Sequence, residues 1–173
     1  AFLAEPSTSP TRDALVANLK AKFPKAIWAE YDPVDVSGQE RAATLLFGES
    51  RGTKALSYNF AAAKRVLSID CDFLQAEPGS IGYARDWAKG RRRVGKGEEM
   101  SRLYVAESHF TITGSNADHR IRLSSSQVLA FTAAVAARLF TKAQTFVSQV
   151  PRLEKLAEGL AVDSKWLDAC VDD

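Results

Sequence analysis

VLSIDCDFL, residues 66–74, is the segment on which the fold prediction depends. Its apolar residues are nearly continuous, which is typical of a strand covered on both faces of a sheet. Helical patterns flank it, at residues 37–48 and from Gly79 and Ser80 onward. Alternation of this kind favours a parallel sheet between helical layers. We therefore expect an α/β fold, a three-layer α/β/α sandwich with a mostly parallel, Rossmann-like sheet.

The other elements follow from the same kinds of pattern. Further strands are predicted at 26–31, 53–60, 103–106 and 120–123, and further helices at 10–23, from Ser125 and Ser126 onward, and in two pieces over 141–170. Ser37 and Glu40 form a capping box at the start of the helix over 37–48. The inner face of the helix after Gly79 is predicted to carry Ile81, Ala84, Trp87 and Ala88.

Length and composition describe one ordinary globular domain. The 173 residues are 46% hydrophobic and 25% charged, enough for a single core. We expect one α/β domain over 1–173, with a core at about 9–140 and a helical extension at 141–173. The net charge of +2 gives no whole-chain argument for nucleic acid or an anionic membrane. The patterns predict no membrane insertion, and the two Cys and two His do not have the spacing of any standard zinc or iron–sulfur site.

Two loops are expected at the ligand-binding edge of the sheet, beyond the carboxyl ends of the strands. In the first, residues 70–80, the N–H groups of Gly79 and Ser80 at a helix start could receive a phosphate. Asp70, Asp72 and Glu77 surround them, however, and would repel one at about 1 kcal/mol or more each. These acids can equally cap turns, and no G-x-G-x-x-G motif follows any strand.

The second loop, residues 107–120, has two histidines between acidic residues. His109 and His119, with Glu107 and Asp118, could form a metal site or act as general acids and bases, or could make local hydrogen bonds. A basic segment at 89–99, KGRRRVGKGEE, could bind phosphate or nucleic acid, or could be a solvated helix end. No catalytic residue and no metal ligand set is assigned from these patterns.

The two loops and their surroundings resemble the molybdopterin oxidoreductase superfamily. More narrowly, the chain is similar to the iron–sulfur/molybdopterin-like subunit of alternative complex III, a bacterial quinol-oxidising membrane complex, and of related polysulfide-reductase-like complexes. The resemblance covers about residues 37–139 and rests on the order and spacing of short motifs. These are LFGE at 46–49, AKRVLSIDCDFL at 63–74, PGS at 78–80, YARD at 83–86, MSRLYV at 100–105, ES at 107–108, TITG at 111–114 and ADHR at 117–120.

The resemblance implies that Asp72, Gly79, Ser80 and Glu107 correspond to positions that contact a pterin guanine dinucleotide. Asp70 to Asp72 replace the family's glycine-small-Asn step, and Glu107-Ser108-His109 replace its Asp-Pro-Arg, whose acid recognises guanine. The corresponding domain in alternative complex III is understood to lack the molybdenum cofactor.

The resemblance therefore implies a non-catalytic scaffold or interaction domain, cut from a larger periplasmic subunit. Its partners would be other domains and subunits of the membrane-bound complex, and any iron–sulfur clusters would lie outside these residues. One alternative is a domain that binds molybdopterin guanine dinucleotide, and another is a stand-alone module for a small ligand.

Overall fold

The computed structural model describes residues 1–7, 9–33, 37–48, 56–92, 95 and 99–173. The strands are β1 (Phe2–Ala4), β2 (Trp28–Glu30), β3 (Arg65–Ile69), β4 (Arg102–Glu107) and β5 (His119–Arg122). The α-helices are α1 (Pro10–Lys22), α2 (Ser37–Phe47), α3 (Ser80–Arg91), α4 (Ile112–Ser115), α5 (Val128–Ala143), α6 (Val150–Leu156) and α7 (Ser164–Asp172). The expected mixture of helices and strands is confirmed. Within these ranges, no helix has the length and apolar character needed to cross a membrane.

The described residues form two compact units, residues 1–57 and 58–173. In the first, β1 and β2 form a parallel pair, and in the second, β3, β4 and β5 form a parallel sheet in that order. The described strand pairings are therefore parallel, as predicted. β1 is not among the predicted strands. A single domain over 1–173 stays a prediction.

Apolar side chains pack against both faces of the three-stranded sheet. Leu103 of the central strand β4 belongs to a buried cluster with Trp87 of α3. Ala106 of the same strand belongs to another cluster, with Phe131 of α5 and Leu167 of α7. Successive side chains of a strand point to opposite faces, so the two clusters lie on opposite faces of β4.

The predicted strand over 66–74 is shorter in the structure. β3 ends at Ile69, because Asp70 has a φ of 45° and turns the chain. Phe73 lies in the turn that follows and stacks on Phe60, with 4.2 Å between the ring centroids. The apolar run is therefore long because a turn, as well as a strand, contributes to the core.

The strand predicted over 53–60 is wrong for its described part. Residues 56–59 have no regular structure and Phe60 begins a turn, while residues 53–55 lie outside the described residues. Phe60 is buried between the rings of Phe73 and Tyr83. An aromatic residue favours a strand in a sequence pattern, but here the ring is buried in a turn.

Helix starts and faces differ in detail from the predictions. Ile81 and Ala88, predicted on the inner face of this helix, are exposed, whereas Trp87 is buried and Tyr83 packs against its cluster. A 3-10 turn, Ser125–Gln127, precedes α5 where serine caps were predicted. The helix over 37–48 is confirmed as α2, but the capping side chains of Ser37 and Glu40 lie outside the described residues.

Candidate functional site

Three parallel strands end on the same side of their sheet, which we call the carboxyl edge. β3 ends at Ile69, β4 at Glu107 and β5 at Arg122. Two loops lie at this edge, residues 70–79 between β3 and α3 and residues 108–118 between β4 and β5. The second loop contains α4. This is the place where open α/β sheets bind ligands, and both loops predicted to matter are found here.

The two loops are joined by the side chain of Asp70. Its Oδ1 accepts hydrogen bonds from the backbone N–H of Ser108, at 3.0 Å, and from the Ser108 hydroxyl, at 2.9 Å. Asp70 also has a positive φ, a conformation that aspartate tolerates better than most residues. This carboxylate therefore has a structural partner in the opposite loop.

Asp72 makes a second connection between the loops. Its Oδ1 accepts from the backbone N–H of Thr113, at 3.0 Å, and from the Thr113 hydroxyl, at 2.7 Å. The Thr113 hydroxyl oxygen in turn accepts from the N–H of Leu74, at 3.0 Å. Thr113 is completely buried, so Asp72 satisfies polar groups that water does not reach.

Glu107 is a buried carboxylate with several internal hydrogen bonds. Only 1% of its surface is exposed. Its Oε2 accepts from the hydroxyl of Thr111 at 2.6 Å, and its Oε1 accepts from Nε of Arg120 at 2.6 Å and from the N–H of Thr111 at 3.3 Å. A buried charge needs such partners. The carboxylate thus stabilises the loop that holds α4.

Gly114 of α4 lies directly against this carboxylate. A Cβ atom built on Gly114 would overlap Oε1 of Glu107. Thr111 caps the same helix, because its hydroxyl oxygen accepts from the N–H of Gly114 at 3.0 Å. Glycine is therefore required here by the close approach of the glutamate.

Gly79 and Ser80 lie at the start of α3. Gly79 has a φ of 91° and precedes the helix without a side-chain cap, and a Cβ built on it would lie 3.3 Å from the ring of Tyr83. The N–H of Ser80 donates to the backbone oxygen of Glu77 at 3.0 Å. Both residues are thus at the carboxyl edge, as predicted, in a turn built by local packing.

The two histidines have separate surroundings. His109 lies 3.0 Å from the Ser108 hydroxyl through Nδ1, whereas His119 stacks on Tyr104 with 4.7 Å between ring centroids. Asp118 makes a bidentate pair with Arg91, at 2.6 and 2.9 Å. Among the described residues, no group of three or more His, Cys, Asp or Glu side chains is placed to hold a metal ion.

The pairing of Asp118 with Arg91 can be tested through the pH dependence of the free energy of unfolding. Burial raises its pKa, but the Arg91 guanidinium and the N–H of Leu103 lower it more, so the pKa is below the usual 3.8. A carboxyl with a depressed pKa adds stability above its unfolded pKa and loses it as pH falls through the folded value. We expect the free energy of unfolding to fall as pH drops below about 4, and Asp118→Asn to flatten this slope. Urea unfolding at a series of acidic pH values measures it, and an unchanged slope in the variant would contradict the assignment.

The Cys71 thiol lies in the loop over 70–79 and does not have the properties of a nucleophile. Burial, followed by the nearby Glu77 carboxylate, raises the pKa of Cys71 to about 11. A thiol with that pKa is protonated at neutral pH, whereas nucleophiles and metal ligands are thiolates. The Ser68 hydroxyl donates to the Cys71 backbone oxygen at 2.6 Å, which fixes the turn after β3.

Exposed apolar side chains surround the carboxyl edge. We call them the apolar rim and define it as Ile81 in the first turn of α3, Phe110 and Ile112 before and in α4, and Leu129 in the first turn of α5. Ile81 is 89% exposed and Phe110 is 72% exposed, and the other two are also exposed. Grouped exposed apolar residues are typical of surfaces that bind other proteins.

No model of a known protein family matches the chain, and no curated protein matches it.

The side chains themselves test the fit of a pterin dinucleotide. Both oxygens of Glu107 and Oδ1 of Asp72 already accept hydrogen bonds from protein groups. Guanine would have to reach Glu107, which is 1% exposed, so this carboxylate fits an internal network better than a nucleotide. The assignment of cofactor contacts to Asp72, Gly79, Ser80 and Glu107 stays a prediction.

The residues that bond to these carboxylates were not predicted as their partners. They are Thr111, Thr113 and Arg120. A threonine three residues before Gly114 is a recognisable helix-cap signal, so Thr111 could have been found. Arg120 could not, because its contact with Glu107 depends on the pairing of β4 and β5.

Proposed function

We propose that the unit formed by residues 58–173 is a non-catalytic scaffold and interaction domain. In this proposal it belongs to a molybdopterin-oxidoreductase-like subunit of a bacterial respiratory quinol-oxidising complex, on the periplasmic face of the membrane. Its partners are the iron–sulfur domain of that subunit and neighbouring subunits. The assignment to this complex rests on the sequence resemblance, and the role of the domain rests on the geometry of the carboxyl edge.

One observation carries the role as a scaffold: acidic side chains at the edge where a ligand would bind are engaged inside the protein. Asp70, Asp72 and Glu107 each accept hydrogen bonds from the loop over 108–118 or its neighbouring strand. A catalytic or binding site needs polar groups that reach the ligand. Carboxylates that are bonded to threonine, serine and arginine instead stabilise the loops.

The apolar rim supports an interaction with protein. Its side chains are exposed, and the acids of the neighbouring loops, Asp70, Asp72 and Glu107, bond to protein groups. Burial of apolar area is the main favourable contribution in most protein association, and interface centres contain few charged residues. A rigid edge with apolar side chains around it is therefore suited to packing against another domain.

The three-layer arrangement is part of the proposal. Within residues 58–173, the cluster that includes α3 and the cluster that includes α5 and α7 lie on opposite faces of β4. We propose that this pattern extends to the α/β/α sandwich of a Rossmann-like domain in the full subunit. Such a domain presents its carboxyl edge, with the apolar rim, to the rest of the protein.

Substitutions in the apolar rim test the proposal in the assembled complex. Ile81→Asp and Leu129→Asp place an acid in the first turn of a helix, where the helix dipole favours it, so the isolated chain should keep its Tm. We expect the amount of partner subunits that co-purify with the tagged subunit to fall at least severalfold. Leu139→Lys, in the last turn of α5, is the matched control and should leave assembly unchanged. Normal assembly of both acidic variants would contradict the proposal.

A further inference from the structure

A second groove lies on the opposite side of the three-stranded sheet, where the strands begin. We call this side the amino edge and the feature the basic groove. The basic groove has a volume of about 730 Å³. It lies between the residue before β3, the end of α3 and the residue before β4. The side chains and backbone used in the argument below belong to Lys64, Lys89, Gly90, Arg92, Glu99 and Ser101.

Most arginines near the amino edge are paired with acids. Arg91 makes two bonds to Asp118, at 2.6 and 2.9 Å. Arg65 and Arg102 both contact the carboxylate of Asp173, at 2.8 and 2.6 Å. These three cations therefore have structural roles and are not available to a ligand.

The cations of the basic groove are less fully paired. Among the described residues, the side chains of Lys64 and Arg92 have no ion-pair partner, and Lys89 pairs with Asp86 on its own helix at 2.8 Å. The groove's acid, Glu99, lies 3.5 Å from the Arg65 guanidinium. The described residues that line the basic groove thus carry an excess of positive charge, although the whole chain has a net charge of only +2.

Two of the carbonyl groups at the end of α3 are satisfied by backbone N–H groups rather than by these cations. The backbone oxygen of Lys89 accepts from the N–H of Arg92 at 3.2 Å, and that of Gly90 accepts from the N–H of Ser101 at 3.0 Å. Basic side chains often bond to the last carbonyls of a helix. Here backbone groups do so, which leaves the Lys64 and Arg92 side chains open to an anion.

Ser101 supplies an independent sign of a ligand. It is 4% exposed, and within the described part of the chain its hydroxyl has no hydrogen-bond partner. An unsatisfied buried hydroxyl is unfavourable, and such a group calls for an explanation. A Cβ atom on Gly90 would lie 3.1 Å from the Ser101 Oγ, so the hydroxyl lies beside the glycine in the wall of the groove.

We propose that the basic groove binds a phosphate group carried by a small molecule. Lys64 and Arg92 supply the charge, and the Ser101 hydroxyl, after rotation about its Cα–Cβ bond, donates to a phosphate oxygen. Nucleic acid is disfavoured, because none of the described residues that line the groove is aromatic and could stack on a base. The site lies away from the carboxyl edge and does not depend on the scaffold function.

Titration of the whole 173-residue chain with inorganic phosphate and with phenyl phosphate tests the site. We expect saturable binding of both compounds, detected as changes in the amide chemical shifts of residues near 61–64 and 101. Lys64→Gln should weaken binding about tenfold, because it removes a charge-assisted contact. Lys165→Gln, an exposed lysine in α7, is the matched control and should bind as the wild type does.

Ser101→Ala separates a ligand contact from a structural role. Removing an unsatisfied buried hydroxyl should leave the Tm without phosphate unchanged or higher, while weakening phosphate binding about fivefold or more. Three results would overturn the proposal. The first is a lower Tm with undiminished phosphate binding in Ser101→Ala. The second is that phosphate and sodium chloride at matched ionic strength change the amide chemical shifts equally. The third is tighter binding of duplex DNA than of phenyl phosphate.

Discussion

Gly114→Ala should be one of the most damaging single substitutions in residues 58–173. The new methyl group would overlap Oε1 of Glu107, a buried atom that already bonds to Arg120 at 2.6 Å. Either α4 or the carboxylate must move, which combines overpacking with the loss of a buried polar contact. We expect a loss of about 3 kcal/mol in the free energy of unfolding, or roughly 6–12 °C in Tm for a chain of this size.

Gly82→Ala is the matched control for this substitution. Gly82 lies in α3, and a Cβ built there meets no atom within 4 Å. Alanine in a helix is more stable than glycine by roughly 0.5–1 kcal/mol, so the control should keep or raise the Tm. Thermal unfolding followed by circular dichroism measures both variants. Equal Tm values for Gly114→Ala and the wild type would show that Glu107 does not lie against α4.

Glu107→Ala should lower the free energy of unfolding by a comparable amount, because it removes a buried charge. It removes the acceptor of the Thr111 hydroxyl and of the Arg120 Nε and leaves a cavity in a site that is 1% exposed. Removing one partner of a buried ion pair costs about 3–5 kcal/mol. Since Arg120 is partly exposed and can recover some hydration, we expect a value of about 3 kcal/mol by urea unfolding.

A surface pair gives the control for Glu107. Lys142 and Asp172 lie 2.9 Å apart, but both side chains are at least half exposed. Exposed pairs of this kind contribute little to stability, so Asp172→Asn should leave the urea midpoint nearly unchanged. If Glu107→Ala and Asp172→Asn had equally small effects, the buried network at the carboxyl edge would not be stabilising.

Much of the fold follows from the sequence because local patterns determine it. The helices α1 and α3 are predicted within two residues of their starts, where Pro10 and Gly79 mark the helix boundary. The strands β4 and β5 are also found in place. The predictions fail where tertiary packing overrides a local pattern, as at Phe60 and Phe73, whose rings stack on each other from two turns.

The positions of the two loops were predicted, but the hydrogen-bond partners of their carboxylates were not. Strand order and the rule for open sheets place Asp72 and Glu107 at the carboxyl edge. Their partners could not be read from spacing, because Thr113 is 41 positions from Asp72 and Arg120 is 13 positions from Glu107. A carboxylate at a strand end can face a ligand or another loop, and only the three-dimensional structure distinguishes the two.

Titration of the isotope-labelled chain with a pterin guanine dinucleotide tests the central claim most directly. The backbone N–H groups of Ser108 and Thr113 donate to Asp70 and Asp72, so their amide resonances report on the carboxyl edge. If the carboxylates are structural, both resonances should keep their chemical shifts through the titration. Saturable shifts of these two amides at micromolar dinucleotide would contradict the account and favour a cofactor-binding domain.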